Sequence, residues 1–590
     1  MKNKIILLIF GFVFVCFLSK AQSPTFQWAK GIGGIGNDNG KSIAIDVAGN
    51  VYTIGYFNDT TDFDPGAGVY YLKGGGCFIS KLDASGNFVF AKRIANSNGY
   101  AIAIDTNNNV YITGSFGGTV DFDPGAGVYN LTSIGGSDIF ITKLDAIGNF
   151  VWAKSIGGLI NDEGLSIVVD AVGNVFTTGY FDGTVDFDPG VGIYNLTSVG
   201  GPNDIFVCKL NVSGVFVWAK SMGGSFSDYG YSITVDVAGN VYTTGHFPRT
   251  ADFDPGPGVY TLTAIGEDIF VSKLDASGNF VWAKRMGGGA SGMKYSFSIA
   301  IDLNYNVYTT GFFNGIVDFD PNAGVYNLTA IGQDIFISKL DTSGNFVWAK
   351  SFGGTNNDGG CSIAVTPTGN VYSTGYFVGT VDFDLGAGVY NLTSTLGSLD
   401  IFITKLDSSG AFAWAKSIGG GNSDAGYSIA IDNAGSVFTT GFFQNTADFD
   451  PGVGVNNLTS AGGRDIFIHK MCQTSCPLGI SELPTPNSEL NIFPNPNTGV
   501  FKLQITETIK NGEIVLFNAM GQKVCEQTVS EGLNTINANH LAKGLYNYIL
   551  LEDKQKVSGG EISLRMSLFY FTFFIHKKKY FGFKTLSVIC

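Results

Sequence analysis

Apolar residues along most of this chain fall in short runs divided by Gly-containing breaks, and the same arrangement keeps returning. Within 232–288 the runs are Ser232–Val235, Val241–Phe247, Asp268–Leu274 and Phe280–Met286, lengths that suit β-strands and are too short for helices. Between them, Asp236-Val-Ala-Gly-Asn240 and Asp275-Ala-Ser-Gly-Asn279 each open with Asp and carry Gly next to last. That is the chemistry of a tight turn with one residue at positive φ, so each predicts a β-hairpin. Phe280 and Trp282 alternate with Val281 and Ala283. The predicted sheet is therefore apolar on both faces and has to stack between neighbours.

All six Trp residues, Trp28, Trp152, Trp218, Trp282, Trp348 and Trp414, sit in a phrase of the type Phe-Val-Trp-Ala-Lys, and Phe90 holds the remaining place. These anchors recur every 62 to 66 residues, and a period of that kind decides the architecture before any other feature. Four-stranded sheets repeated around an axis, each packed on the next, are the blades of a propeller. The predicted fold is all-β: a seven-bladed β-propeller over 22–471, followed by a small C-terminal β-sandwich. Closure is written in the ends of the array. The last repeat supplies Ser428–Ile431, Val437–Phe443 and Asp465–Met471 and stops before its Trp strand, whereas an orphan Phe26-Gln-Trp-Ala-Lys30 precedes the first repeat. Joining the two completes a seventh blade, places Trp28 beside Ile466–Ile468 and removes the free sheet edges. An open β-solenoid is the alternative, and it gives no reason for the offset ends.

Phrases such as Asp138-Ile-Phe-Ile-Thr-Lys-Leu-Asp145 and Gly239-Asn-Val-Tyr-Thr-Thr-Gly245 resemble the SBBP-type seven-bladed propeller repeats of bacterial surface and secreted proteins, over residues 26–471. The resemblance implies a fold and no single activity. Residues 472–490 hold Pro477, Pro484 and Pro486 among Ser and Thr and read as a linker. Beyond it, Asn491-Ile-Phe-Pro-Asn-Pro-Asn-Thr-Gly-Val-Phe501, Ile514-Val-Leu-Phe-Asn-Ala-Met-Gly-Gln-Lys-Val524 and Leu541-Ala-Lys-Gly-Leu-Tyr546 resemble the sorting domain of type IX secretion cargo in Bacteroidetes-like bacteria. Alternating apolar residues at Val500–Ile505 and Leu545–Leu551 independently predict the small antiparallel sandwich. The resemblance implies passage across the outer membrane by the type IX machinery, followed by release or by attachment to surface lipopolysaccharide. It spans 491–560. Residues 561–590, with Ser567-Leu-Phe-Tyr-Phe-Thr-Phe-Phe-Ile575 and Lys577-Lys-Lys579, depart from the family pattern. They read first as a frameshift or read-through tail and second as an anchor, although the apolar run is too short to span a bilayer.

The 590 residues are 44% hydrophobic and only 14% charged, with 82 Gly and 49 Phe, the balance of a Gly-turned, aromatic-cored β protein. A formal net charge of −14 excludes nucleic acid as the expected partner, because phosphate binding needs clustered Lys and Arg. Lys2 and Lys4, the apolar run Ile5–Leu18 and Ser19-Lys20-Ala21 read as a signal peptide over 1–21, with a mature chain from Gln22. Cys77, Cys208 and Cys361 lie at strand positions and read as buried small hydrophobes. Cys472 and Cys476 are close enough for a local disulfide in an oxidising exterior, and zinc is the weaker reading because no second ligand pair follows.

Four His residues, His246, His469, His540 and His576, have no partner at catalytic or metal-ligand spacing, and no nucleophile elbow, phosphate loop or zinc-protease helix is present. The chain is therefore expected to be non-enzymatic, with no resident cofactor. The best candidate chemistry is the phrase Asp-Phe-Asp, which occurs seven times: Asp62 and Asp64, Asp121 and Asp123, Asp186 and Asp188, Asp252 and Asp254, Asp318 and Asp320, Asp382 and Asp384, Asp448 and Asp450. In extended backbone the two carboxylates share a side and suit a hard cation such as Ca²⁺. The structural alternative, which carries more weight, has the Asp pair form a turn through bonds to backbone N–H groups while the Phe between them fills the hydrophobic layer.

Antiparallel order puts these phrases at the blade end opposite the hairpin turns, together with Asn37-Asp38, Asn161-Asp162, Asp228, Asn357-Asp358 and Asp424. The expectation is one disc face ringed with acid, serving as the surface for a glycan or protein ligand. The functional expectation is a secreted or outer-membrane-surface scaffold for binding or adhesion. An extracellular polysaccharide-acting hydrolase or lyase and a structural surface-layer component are the alternatives. A unique His, Arg or Glu near the axis in one repeat would favour the enzyme.

Overall fold

The computed structural model describes residues 23–289, 292–384, 386, 388–473, 491–493, 500–505, 512–517, 523–539, 541, 544–552 and 555–564. They divide into two compact units, one ending at residue 475 and one beyond it. Apart from a 3-10 turn at Thr395–Gly397, the regular structure of the described residues is β-strand. The signal-peptide, linker and tail expectations fall wholly or mostly outside these residues.

The first unit holds seven four-stranded antiparallel meanders. Blade 1 runs Asn39–Ile45, Val51–Phe57, Gly76–Leu82 and Phe88–Ile94. Blades 2 to 6 repeat that order, beginning at Ser97, Glu163, Tyr229, Lys294 and Gly359. Blade 7 takes three strands from Ala425–Ile431, Val437–Asp448 and Asn457–Cys472, and its fourth is Thr25–Gly34 from the start of the chain. The register sets Trp28 against Lys470, Lys30 against Ile468 and Ile32 against Ile466, the interlock expected from the orphan Trp phrase. First strands touch first strands around the whole set, the first blade meeting the seventh, so these strands line the axis of a β-propeller.

Hydrogen bonds between blades follow from repeated side chains. Ser42, Ser166, Ser232, Ser298, Ser362 and Ser428 each accept a bond from a backbone N–H of the next blade's first strand, at Ile102, Ile233, Ile299, Ile363, Ile429 and Ile43. The Ser428 bond ties blade 7 to blade 1. At the hairpin end, third-strand lysines reach forward: Lys81 donates to the Ala146 carbonyl, Lys209 to Ala276, Lys339 to Ser408 and Lys470 to Ala84. Each of these ammonium groups also lies within about 5 Å of an aromatic ring of its own blade, as Lys81 does over Tyr52.

The hairpin turns form as their chemistry dictates. Asp236 Oδ1 accepts from the N–H groups of Ala238 and Asn240, and Gly239 takes φ of 82°, a backbone conformation that favours glycine. In the 3–4 turn Gly278 lies so close to Trp218 that a Cβ would sit 3.1 Å from the indole. The phrase Phe-Val-Trp-Ala is less doubly buried than the alternation implied: Ala283 is buried, whereas Val281 is exposed, because the fourth strand forms the outer edge of its blade.

The second unit is a sandwich. A three-stranded sheet of Asn491–Phe493, Val500–Ile505 and Gly532–Asn537 and a four-stranded sheet of Lys523–Val529, Gly512–Phe517, Gly544–Glu552 and Gln555–Leu564 share one core that includes Phe501, Leu503, Ile514, Leu516, Ile536 and Tyr548. Residues 561–564, placed in the tail by sequence, continue the last strand. Cys77 and Cys208 are buried free thiols and Cys361 is a partly exposed one. Cys472 is disulfide-bonded, its partner lying outside the described residues, as Cys476 does.

Candidate functional site

Each Asp-Phe-Asp phrase belongs to a two-stranded ribbon inserted between the second and third strands of its blade. In blade 4 the ribbon prolongs the blade strands themselves, which run Val241–Asp252 and Thr261–Leu274. Asp252 Oδ1 accepts from the N–H groups of Asp254 at 3.0 Å and Tyr260 at 2.8 Å, and Asp254 Oδ1 accepts from Gly256 N–H at 2.8 Å. The other six ribbons repeat these bonds, from Asp62 and Asp64 to Asp448 and Asp450. Phe63, Phe122, Phe187, Phe253, Phe319, Phe383 and Phe449 between them are fully buried. Phe253, for example, packs against Phe247 and Phe270 at centroid distances of 5.2 and 5.0 Å. The Asp pairs therefore act as loop formers around a Phe wedge. Among the described residues no three His, Cys, Asp or Glu side chains converge as a metal site.

The ribbons lie at the circumference. Asp252 pairs with Gly223 at the end of the preceding blade's outer strand, and Tyr260 stacks on Phe280 at the start of its own blade's outer strand, 4.7 Å between centroids. The other acids expected on the open face, Asp38, Asp162, Asp228, Asp358 and Asp424, are fully buried. The expected acid-ringed face is thus corrected: its carboxylates are spread between the rim and the interior, because the segments that carry them dive between blades.

Within the joints these acids meet a second set that sequence reading passed over. The Asp at the blade end of a third strand faces the Asp immediately before the next blade's first strand, in the pairs Asp465 with Asp38, Asp138 with Asp162, Asp204 with Asp228, Asp334 with Asp358 and Asp400 with Asp424. Burial is the main cause of upward pKa shifts in both sets, and the neighbouring carboxylate adds to it in each pair. Asp228 rises to about 8, Asp162 and Asp424 to about 7, and Asp204, Asp334, Asp358, Asp400 and Asp465 to about 6. Asp-Ile-Phe repeats in six of the seven blades were the available signal. Their alternation as strand residues hid the buried position of the Asp.

This end of the propeller also exposes apolar side chains. Ile35, Leu159, Phe226 and Met293 project from blade-to-blade connections, and Ile134, Val199, Ile265, Ile331 and Leu396 from segments entering third strands. The two kinds of segment lie against each other: a Cβ on Gly135 would touch the Leu159 backbone, and one on Gly462 the Ile35 backbone. A cleft of about 720 Å³ opens here, lined by Glu267, Met293, Asn314, Ala330 and Ile331 among others.

Departures from sevenfold likeness cluster on first and second strands. Tyr229, Tyr231, His246, Tyr295, Phe297 and Phe312 form one aromatic group, with His246 4.0 Å from Tyr295. Burial lowers His246 to about 3. Glu163, which opens the first strand of blade 3, is raised by burial against hydrogen bonds from Tyr180 and Tyr100.

Residues 491–560 match the family described as the secretion system C-terminal sorting domain, and residues 217–246 match the beta-propeller repeat family SBBP. Over 439 residues, 60% of this chain, the sequence is 26% identical to a WD repeat-containing protein of Acanthamoeba polyphaga mimivirus; over 427 residues, 66% of the chain, it is 22% identical to the regulatory protein FlaEY of Caulobacter vibrioides. The chain spans 31% and 41% of those relatives' lengths. The structure is similar to Sqt1 from Chaetomium thermophilum at a TM-score of 0.34 and 11% identity, covering 76% of this chain and 99% of that one. At that score the strand pairings, not the neighbour, define the fold. The chain is a β-propeller protein with a sorting domain. It is cargo for type IX export to the cell surface or the extracellular space.

Proposed function

We propose that the exported propeller is a non-enzymatic binding and adhesion scaffold whose ligand meets the connection end of the disc. The observation that carries this reading is the run of exposed apolar side chains there, with Ile331 at 81%, Leu159 at 80% and Leu396 at 90% exposure. Exposed apolar clusters mark interaction surfaces. Glycan or protein is the ligand class, held by contact with this end around the Met293 and Ile331 cleft. After export the protein is released or attached to lipopolysaccharide.

The test is a glycan array and an extracellular-protein panel probed with the full secreted chain and with Met293→Lys/Ile331→Glu. Saturable binding lost in the variant is the expected result. Binding that the variant retains refutes the surface assignment. Release of reducing ends from a polysaccharide panel, abolished by Glu163→Gln, would establish the hydrolase instead.

A further inference from the structure

Asp204 and Asp228 are both 0% exposed. Asp204 Oδ2 accepts from Val199 N–H at 2.9 Å and Asp228 Oδ2 from Gly224 N–H at 2.7 Å, while Oδ1 of each has no hydrogen-bond partner. For Asp228 the reason is in the sequence. In four other joints the corresponding Oδ1 accepts a backbone N–H twenty residues on, from Asn58, Asp182, Val378 or Gln444. Here that residue is Pro248, which has no N–H. Two unpartnered carboxylate oxygens in one buried joint are costly unless a positive charge or a proton sits with them.

The next joint supplies a positive charge from its own chain. Tyr229 pairs with His246 as Tyr295 pairs with Phe312, so Lys294 occupies the place of Asp228, and Asp268 that of Asp204. The Lys294 ammonium lies 3.2 Å from Asp268 Oδ1 and donates to the carbonyls of Glu267 at 3.2 Å and Gly292 at 3.3 Å; both charged side chains are 0% exposed. Arg285 adds a second bond to Asp268, Nε to Oδ2 at 2.6 Å. No ion pair serves Asp204 or Asp228 among the described residues. Between blades 1 and 2 the same positions are Gly76 and Ser97, so joining two blades does not itself require acids.

We propose that the Asp204–Asp228 joint is a calcium site, holding one ion where the Lys294 ammonium sits in the following joint. One divalent ion balances two carboxylates, and the two Oδ1 atoms with backbone carbonyls and water are the oxygen donors calcium prefers. An exported protein meets this ion in its medium, and extracellular modules bind it at roughly 10⁻⁴–10⁻³ M. Room for the carboxylate is kept by Gly223, where a Cβ would lie 2.4 Å from Asp204 Cγ.

The experiment is calcium titration of the full secreted chain at pH 8 by calorimetry, with magnesium and chelator controls and thermal melts of every variant. Wild type takes up calcium in this joint, and Asp228→Lys, which copies the neighbouring joint, folds and loses one equivalent. Pro248→Ala restores the N–H that competes for Asp228 Oδ1, and it weakens that equivalent by about tenfold, the worth of one hydrogen bond to a charged group. Calcium uptake unchanged in both variants, or no uptake by wild type at millimolar calcium, overturns the proposal. In the second case a proton shared by the two carboxylates is what satisfies the joint.

Discussion

Replacing Asp252 by Ala and by Asn separates the two readings of the Asp-Phe-Asp phrase. Asp252 Oδ1 accepts two backbone N–H bonds, from Asp254 and Tyr260, and the ribbon they hold keeps Phe253 fully buried. A bond to a charged acceptor contributes roughly 1.5–3 kcal/mol, but both donors are near enough to the surface for water to replace part of that, so about 1 kcal/mol each is the usable figure. Asp252→Ala should therefore lose about 2 kcal/mol. Asp252→Asn keeps an acceptor oxygen in the same place and should lose about 0.5 kcal/mol. Urea unfolding followed by Trp fluorescence reads this directly, because all six Trp residues lie in the propeller. Equal losses for Ala and Asn, or none for Ala, would refute the loop-forming account. A calcium-dependent midpoint in wild type that disappears in Asp252→Asn would show a cation holding the ribbon instead.

Buried acid pairs outside the proposed calcium site make stability depend on pH. Asp162 and Asp424 near 7, and Asp334, Asp358, Asp400 and Asp465 near 6, hold protons in the folded state that the unfolded chain releases near 4. Their contribution is complete below the unfolded value and is lost as pH rises through the folded ones, so the melting temperature with chelator should be higher at pH 5 than at pH 8; a flat profile counts against buried pairs. Deleting residues 23–34 removes the outer strand of blade 7 and bares the Asn457–Cys472 edge, and size-exclusion chromatography should show larger species than the wild-type chain forms. Deleting residues 491–590 removes the sorting domain and should trap the propeller in the periplasm, a result that fractionation and immunoblotting would check.

The sequence by itself determined the period, the strands and the interlock. The Trp anchors, the Asp-x-x-Gly-Asn turns and the offset ends are local features whose chemistry acts within a few residues, so blade 4's outer strand, Phe280–Met286, matches its reading residue for residue. It also offered Phe253 as a wedge and, beside the calcium reading, Asp252 as a turn former, since both roles depend on neighbours along the chain. What only the tertiary structure decided is where the charges lie. Asp228 and Asp204 are adjacent because consecutive blades stack, and whether an acid that opens a strand meets water, a lysine or another acid is set by the neighbouring blade. Pro248 shows the reason: it lies within the strand Val241–Asp252, and only across the joint does its missing N–H leave an oxygen of Asp228 without a partner.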